Sequence, residues 1–226
     1  MECVRASVLY LHGFASSPRG QKAQAIGEAL RKTGLQFEAP DLNIPSFEKL
    51  DFDAMVDHAV AQASISCSAV IVGSSLGALV ALEASRHLPP TPLVLIAPAI
   101  GIRERWLQRI PPGDPISVFN YATGGHALIH RAFFERMTAL RTDQDPPPSS
   151  VSIFMGRKDE SVPFDRVYRI WDSWKKSGWL VAGSCFLEIP DGDHGLVLHA
   201  GEMASEIARL IECREEPSQP LAGESP

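Results

Sequence analysis

The chain has 226 residues, 45% hydrophobic and 21% charged, which suits one soluble-type α/β domain with a sizeable core. Its 21 Lys and Arg against 27 Asp and Glu leave a formal charge of −6, which argues against a phosphate backbone, and so against nucleic acid, as the main partner. No apolar run is long enough to span a bilayer, and residues 1–5 do not open a signal peptide, so no membrane association is expected.

Residues 8–11 form a short apolar strand that ends at His12-Gly13. A helix follows over about 19–32, with Ala23, Ile26, Ala29 and Leu30 at helical spacing, and Gly34 ends it. Residues 35–40 are the second strand and 53–64 the second helix. Residues 69–72 are the third strand, 76–87 a helix, and 92–97 the fourth strand. The fifth strand, 151–155, precedes a helix over about 163–177, and the sixth, 184–189, precedes an amphipathic helix over 202–213. Strands alternating with helices imply a mostly parallel central sheet with right-handed crossovers and helices on both faces.

An insertion of roughly 99–150 separates strands four and five. It carries two helical patterns, around 103–110 and 128–141, and ends in Pro146-Pro147-Pro148, a stiff connector. A small helical cap is expected there rather than a second domain. The domain is expected to span 1–214, and the Pro-, Glu- and Ser-rich stretch 215–226 to be disordered. The four cysteines, Cys3, Cys67, Cys185 and Cys213, show no paired spacing, so reduced thiols and a cytoplasmic location are expected.

The third strand runs directly into Gly73-Ser74-Ser75-Leu76-Gly77, and a helix follows without Pro or Gly. Strand, sharp turn and helix with Ser at the turn spell a nucleophile elbow, and hence an α/β-hydrolase fold. The turn exposes Ser75 Oγ by straining its backbone, and glycine is needed where strand and helix approach closely, at Gly73 and Gly77. A serine hydroxyl needs a base. Gly192-Asp193-His194-Gly195 follows the last strand and offers His194. Asp159, in the loop after the fifth strand, offers the acid that orients it. The order Ser75, Asp159, His194 is that of this fold, and all three fall at strand C-termini, where open α/β sheets bind ligands. These groups imply a serine hydrolase acting on carboxylic esters, or thioesters, through an acyl-enzyme, with the backbone amides of Leu76 and Phe14 as the oxyanion hole. The same triad would serve an acyltransferase or a carbon–carbon hydrolase, and the fold also serves non-catalytic binding proteins.

Leu9-Tyr10-Leu11-His12-Gly13-Phe14-Ala15-Ser16-Ser17-Pro18 with Lys22-Ala23, then Gly73–Gly77, then Ala97-Pro98-Ala99, resembles the YqiA-type small esterases of the α/β-hydrolase superfamily. The resemblance implies carboxylesterase activity with a preference for short acyl groups. Ala78 departs from the Gly-Gly that such proteins often carry after the elbow leucine, and the cap is longer.

Other groups have milder readings. Ser74 is expected to be a small polar filler, Asp193 a loop-stabilising residue, and Trp171, Trp174 and Trp179 packing residues. Glu160, Asp165 and Asp143 compete with Asp159 as the acid. His12 orders the first loop and is a candidate substrate contact, as are Trp106 and Tyr121 in the cap. His126 and His130 lack an accompanying acid, so no metal or other cofactor is expected, and the partner is a small-molecule ester. Arg103, Arg105, Arg109, Arg131, Arg136 and Arg141 crowd the cap. Pairing with nearby acids is their commoner fate, and capture of an anionic substrate the alternative.

Overall fold

The structure is a computed structural model that describes residues 6–101, 106, 108–141, 144 and 146–215. Arg103, Arg105, Asp143, Cys3 and the stretch from 216 lie outside the described residues. Six parallel strands form the central sheet in the order β2-β1-β3-β4-β7-β8: β1 Ser7–Leu11, β2 Gln36–Glu38, β3 Ser68–Ser74, β4 Leu93–Ile96, β7 Val151–Gly156 and β8 Cys185–Ile189. β1, β4 and β7 are buried along their whole length, as strands covered on both faces must be.

The helices are α1 Gln21–Arg31, α2 Phe52–Ile65, α3 Leu76–Ala84, α4 Arg131–Ala139, α5 Phe164–Lys176 and α6 Ala200–Glu215. From β1 the chain crosses outward to β2, then back past β1 to β3. Right-handed crossovers in opposite directions put α1 and α2 on opposite faces. Accordingly α1 packs with α6, and α2 with α3. The Asp51 side chain caps α2 by accepting from the Asp53 and Ala54 amides. Every residue of α3 except Glu83 is buried, which matches its uniformly apolar spelling. α6 reaches Glu215, one residue into the stretch expected to be disordered.

Three expectations need correction here. The cap is not purely helical. Ile116–Asn120 (β5) and Gly125–Ile129 (β6) form an antiparallel hairpin, so the expected helix over 128–141 shortens to α4. The cause is a period of two: Ile116 and Asn120 are buried while Ser117 and Phe119 are exposed. Asn120 Oδ1 closes the turn by accepting from the Ala122 and Thr123 amides, and Gly124 takes φ +71°. Trp179 is 53% exposed, unlike the buried Trp171 and Trp174. It lies beyond Gly178, whose φ of +69° turns the chain out of α5. Finally, Cys67 is disulfide-bonded, whereas Cys185 and Cys213 are free thiols. Bridging follows proximity in space, which spacing along the chain does not reveal. A disulfide is uncommon in the cytoplasm, so the cysteines lend that expected location no support. No helix among the described residues is long and apolar enough to cross a membrane.

Candidate active site

Ser75 sits between β3 and α3 with φ 53° and ψ −110°, a conformation rare for a residue with a side chain. The surroundings hold it there. Its amide donates to the Ile96 carbonyl (2.9 Å), and its own carbonyl accepts from Ala78 and Ala99. A Cβ on Gly73 would lie 2.5 Å from the Ala78 Cα, and one on Gly77 would overlap the Leu11 carbonyl oxygen. Both glycines are therefore required by close backbone approach.

His194 bridges Ser75 and Asp159. Its Nε2 lies 3.2 Å from Ser75 Oγ, and its Nδ1 lies 2.7 Å from Asp159 Oδ2. The Asp159 side chain is fully buried, and its other oxygen accepts from the Ser161 and Val162 amides, both at 2.8 Å. With Oδ1 occupied by amides, Oδ2 is oriented toward the imidazole, which places the ring proton on Nδ1 and leaves Nε2 to accept from Ser75. The competitors stand elsewhere: Glu160 is exposed, and Asp165 faces solvent beside Arg157. Asp193 Oδ1 accepts from the Leu196 amide, within its own loop.

The loops bearing Asp159 and His194 are themselves joined. The Lys158 amide donates to the Gly192 carbonyl, and Arg157 to that of Ile189. A Cβ on Gly156 would collide with the Gly192 backbone, so Gly156 lets the two loops meet. On the other side of Ser75, a Cβ on Gly13 would come 3.3 Å from Ser75 Cβ, so the loop after β1 lies against the elbow. Leu76 is the first residue of α3, and its amide is one of those a helix leaves without an internal partner.

These groups open onto a cavity of about 640 Å³, within the range of small-molecule sites. Phe14, Trp106, Val118, Tyr121 and Phe134 supply apolar lining, and Lys22 and Arg109 supply charge. Phe14 stacks on Phe133 and also meets Phe47, Trp106 and Phe134, so the cap's aromatics rest on the loop after β1. The hairpin is tied to the same loop, since the Ala122 amide donates to the Ala15 carbonyl.

Of the three residues expected to contact substrate, Trp106 and Tyr121 line the cavity and His12 does not. His12 is buried; its Nε2 accepts from the Leu42 amide (2.9 Å), so Nδ1 carries the proton and donates to the Gly13 carbonyl. The ring fastens the first loop and has no face for a substrate. Of the described cap arginines, Arg136 pairs with Asp53 of α2, Arg131 bonds carbonyls at Pro111 and Gly113, and Arg109 lines the cavity. His126 is exposed on β6 and His130 lies near Asp114; no cluster among the described residues could hold a metal ion.

The sequence reading gave Lys22 no place in the site and Ser74 only that of a small polar filler. Lys22 Nζ donates to Ser74 Oγ (2.8 Å) and to the His194 carbonyl (3.1 Å), and Ser74 also bonds the buried Tyr10 hydroxyl. Burial pushes the Lys22 ammonium down to about 8, against the pull of Asp159 and Asp193. Lys22 stands four residues before the buried Ile26, and a charge on that stripe of α1 was the available signal.

The sheet order, the elbow and the loops that meet above it define an α/β-hydrolase fold. Within it, the chain belongs to the uncharacterised protein family UPF0227, whose model matches residues 7–183. Comparison with curated proteins finds none that matches significantly. Among solved structures the chain is similar to Est1E from Butyrivibrio proteoclasticus with ferulic acid bound (18% identity, TM-score 0.72, covering 93% of this chain and 90% of that one). It is also similar to mouse α/β-hydrolase domain-containing protein 10 (19%, 0.69, 92% and 90%) and to a Paleococcus ferrophilus monoacylglycerol lipase (16%, 0.70, 91% and 94%). At such identities the likeness is one of fold.

Proposed function

We propose that this protein is a serine hydrolase that cleaves small carboxylic esters through an acyl-enzyme on Ser75. The observation that carries this reading is the unbroken hydrogen-bonded path from Ser75 Oγ through His194 to the buried Asp159 carboxylate, beside a 640 Å³ cavity. His194 Nε2 takes the hydroxyl proton as Oγ attacks the ester carbonyl carbon. Asp159 stabilises the imidazolium that forms. The amides of Leu76 and Phe14 are assigned to the oxyanion, each worth roughly 3–4 kcal/mol of barrier. Collapse expels the alcohol, which takes the proton from His194. Water, activated by the same base, then releases the acid. A protein of this fold that only bound its ligand would have no need of all three side chains in register. Esterase and lipase neighbours of the same fold agree with this reading.

The test is turnover of 4-nitrophenyl acetate and butyrate by the wild type and Ser75→Ala. The expected result is a burst of nitrophenol from the wild type and a loss on the order of 10⁶ in the variant. Near-normal turnover by Ser75→Ala would exclude the mechanism.

A further inference from the structure

Lys22 is a charged group that the steps above do not use. It lies in the first turn of α1, after the loop assigned to the oxyanion, and lines the cavity with Ser75 and His194. Its two hydrogen-bond partners, the Ser74 hydroxyl and the His194 carbonyl, are both neutral. An ammonium carries three donors, so one has no acceptor among the described residues. The nearest carboxylates are engaged elsewhere. Asp159 is bonded to His194, Ser161 and Val162, and Asp193 to Leu196. Burial lowers the ammonium only to about 8, so it is still charged at neutral pH.

A partly buried cation on the cavity wall, with neutral acceptors for two of its three donors, is available to pair with an anion that enters. The position of this one is informative: it bonds the side chain next to the nucleophile and the backbone of the base. Elsewhere the cavity wall is largely aromatic and aliphatic, with Arg109 as its other cation. An anionic group entering the cavity is therefore drawn to the immediate neighbourhood of Ser75. We infer that Lys22 is a specificity-determining residue that pairs with a substrate carboxylate, so that the preferred substrates are esters carrying an anionic group a few carbons from the scissile carbonyl, such as hemiesters of short dicarboxylic acids. The inference rests on the ester-hydrolase reading and adds the substrate class to it.

The experiment compares kcat/KM for monoethyl succinate and for its neutral isostere ethyl succinamate. At pH 7 the wild type should favour the anion by about tenfold or more, the scale of a charge-assisted hydrogen bond. Lys22→Met should bring the ratio close to one, and Lys22→Arg should keep most of it. The wild-type ratio should also fall as pH rises through about 8, because kcat/KM reports the free enzyme and Lys22 loses its charge there. Asp159, Asp193, His194 and, through Ser74, Tyr10 are the other titratable groups facing Lys22; their effect on the shared chemical step cancels in the ratio, and their effect on the anion is read from the same ratio in Lys22→Met. An equal fall for both esters in Lys22→Met would make Lys22 a tether between the elbow and the His194 loop, and the inference would be wrong. Should Lys22→Met fail to fold, Lys22→Gln, which keeps a donor for the His194 carbonyl, is read by the same ratio. Hydrolysis of neutral esters with no anionic preference overturns the inference and leaves the hydrolase reading intact. If no ester turns over, the hydrolase reading fails, and calorimetric titration of Ser75→Ala with monoethyl succinate decides the rest. Binding weakened about tenfold by adding Lys22→Met supports the pairing, and unchanged binding refutes it.

Discussion

His194 is held from both sides, and the two contacts differ in kind. Asp159 approaches from a fully buried position and is itself pinned by two amides, so its carboxylate cannot swing away. Replacing it by Asn keeps the shape but presents an amide that favours the wrong imidazole tautomer. Asp159→Asn should therefore lower kcat on 4-nitrophenyl butyrate by about 10³–10⁴. Glu160→Gln should stay near wild type, since Glu160 is exposed. A crippling Glu160→Gln with a harmless Asp159→Asn would move the acid by one residue. Lys22 gives the fold its own pH signature. Its folded value of about 8 lies below the ordinary 10.5, so between them the unfolded chain binds more protons and stability rises with pH. Tyr10 acts the other way above its ordinary 10.0, because burial pushes its phenol up. Urea midpoints at about pH 8 and pH 10 should show the rise in the wild type and a smaller one in Lys22→Met. Identical pH profiles would mean that the ammonium is better solvated than its surroundings imply.

At the scale of elements, the site depends on how closely backbones approach. Gly77→Ala would press a Cβ into the Leu11 carbonyl, where neither β1 nor α3 can give way. A loss of about 3 kcal/mol or more in denaturant unfolding is expected, and an unchanged midpoint would contradict the packing described. The cap lines the cavity with aromatics. Trp106 touches both Phe14 and Phe134, while Tyr121 is 75% exposed at the hairpin turn. Trp106→Ala should shift acyl chain-length preference several-fold, measured as kcat/KM over 4-nitrophenyl acetate to octanoate, and Tyr121→Ala should shift it less. A flat profile in both would leave the cap as packing. These elements also show what the sequence could convey. The elbow was legible because strand, glycines, serine and helix are consecutive. His194 and Asp159 were legible because each follows a recognisable strand. The hairpin was not, since its turn lacks an Asn-Gly or Asp-Gly signal. The partners of Lys22 lie 52 and 172 residues away in the chain, which left a charge on the apolar stripe of α1 as its signal.

In the molecule as a whole, the chain reverses direction across the sheet between β1 and β3, and the site sits over that point. The loop after β1 lies on one side of Ser75, and the joined Asp159 and His194 loops lie on the other. The cap rests on the first of these through Phe14 and the Ala15 carbonyl. One buried core runs through sheet, helices and cap residues such as Ile116, Ile129 and Phe133, so cap and sheet are packed as one body. This arrangement makes a single prediction about chemistry: among all the serines of the chain, Ser75 alone should react as a nucleophile. The most direct measurement is labelling of the folded protein with a fluorophosphonate, followed by peptide mapping. The account predicts one stoichiometric adduct on Ser75, abolished by His194→Ala and by unfolding. An unlabelled Ser75, or an adduct on another serine that persists in Ser75→Ala, would contradict it.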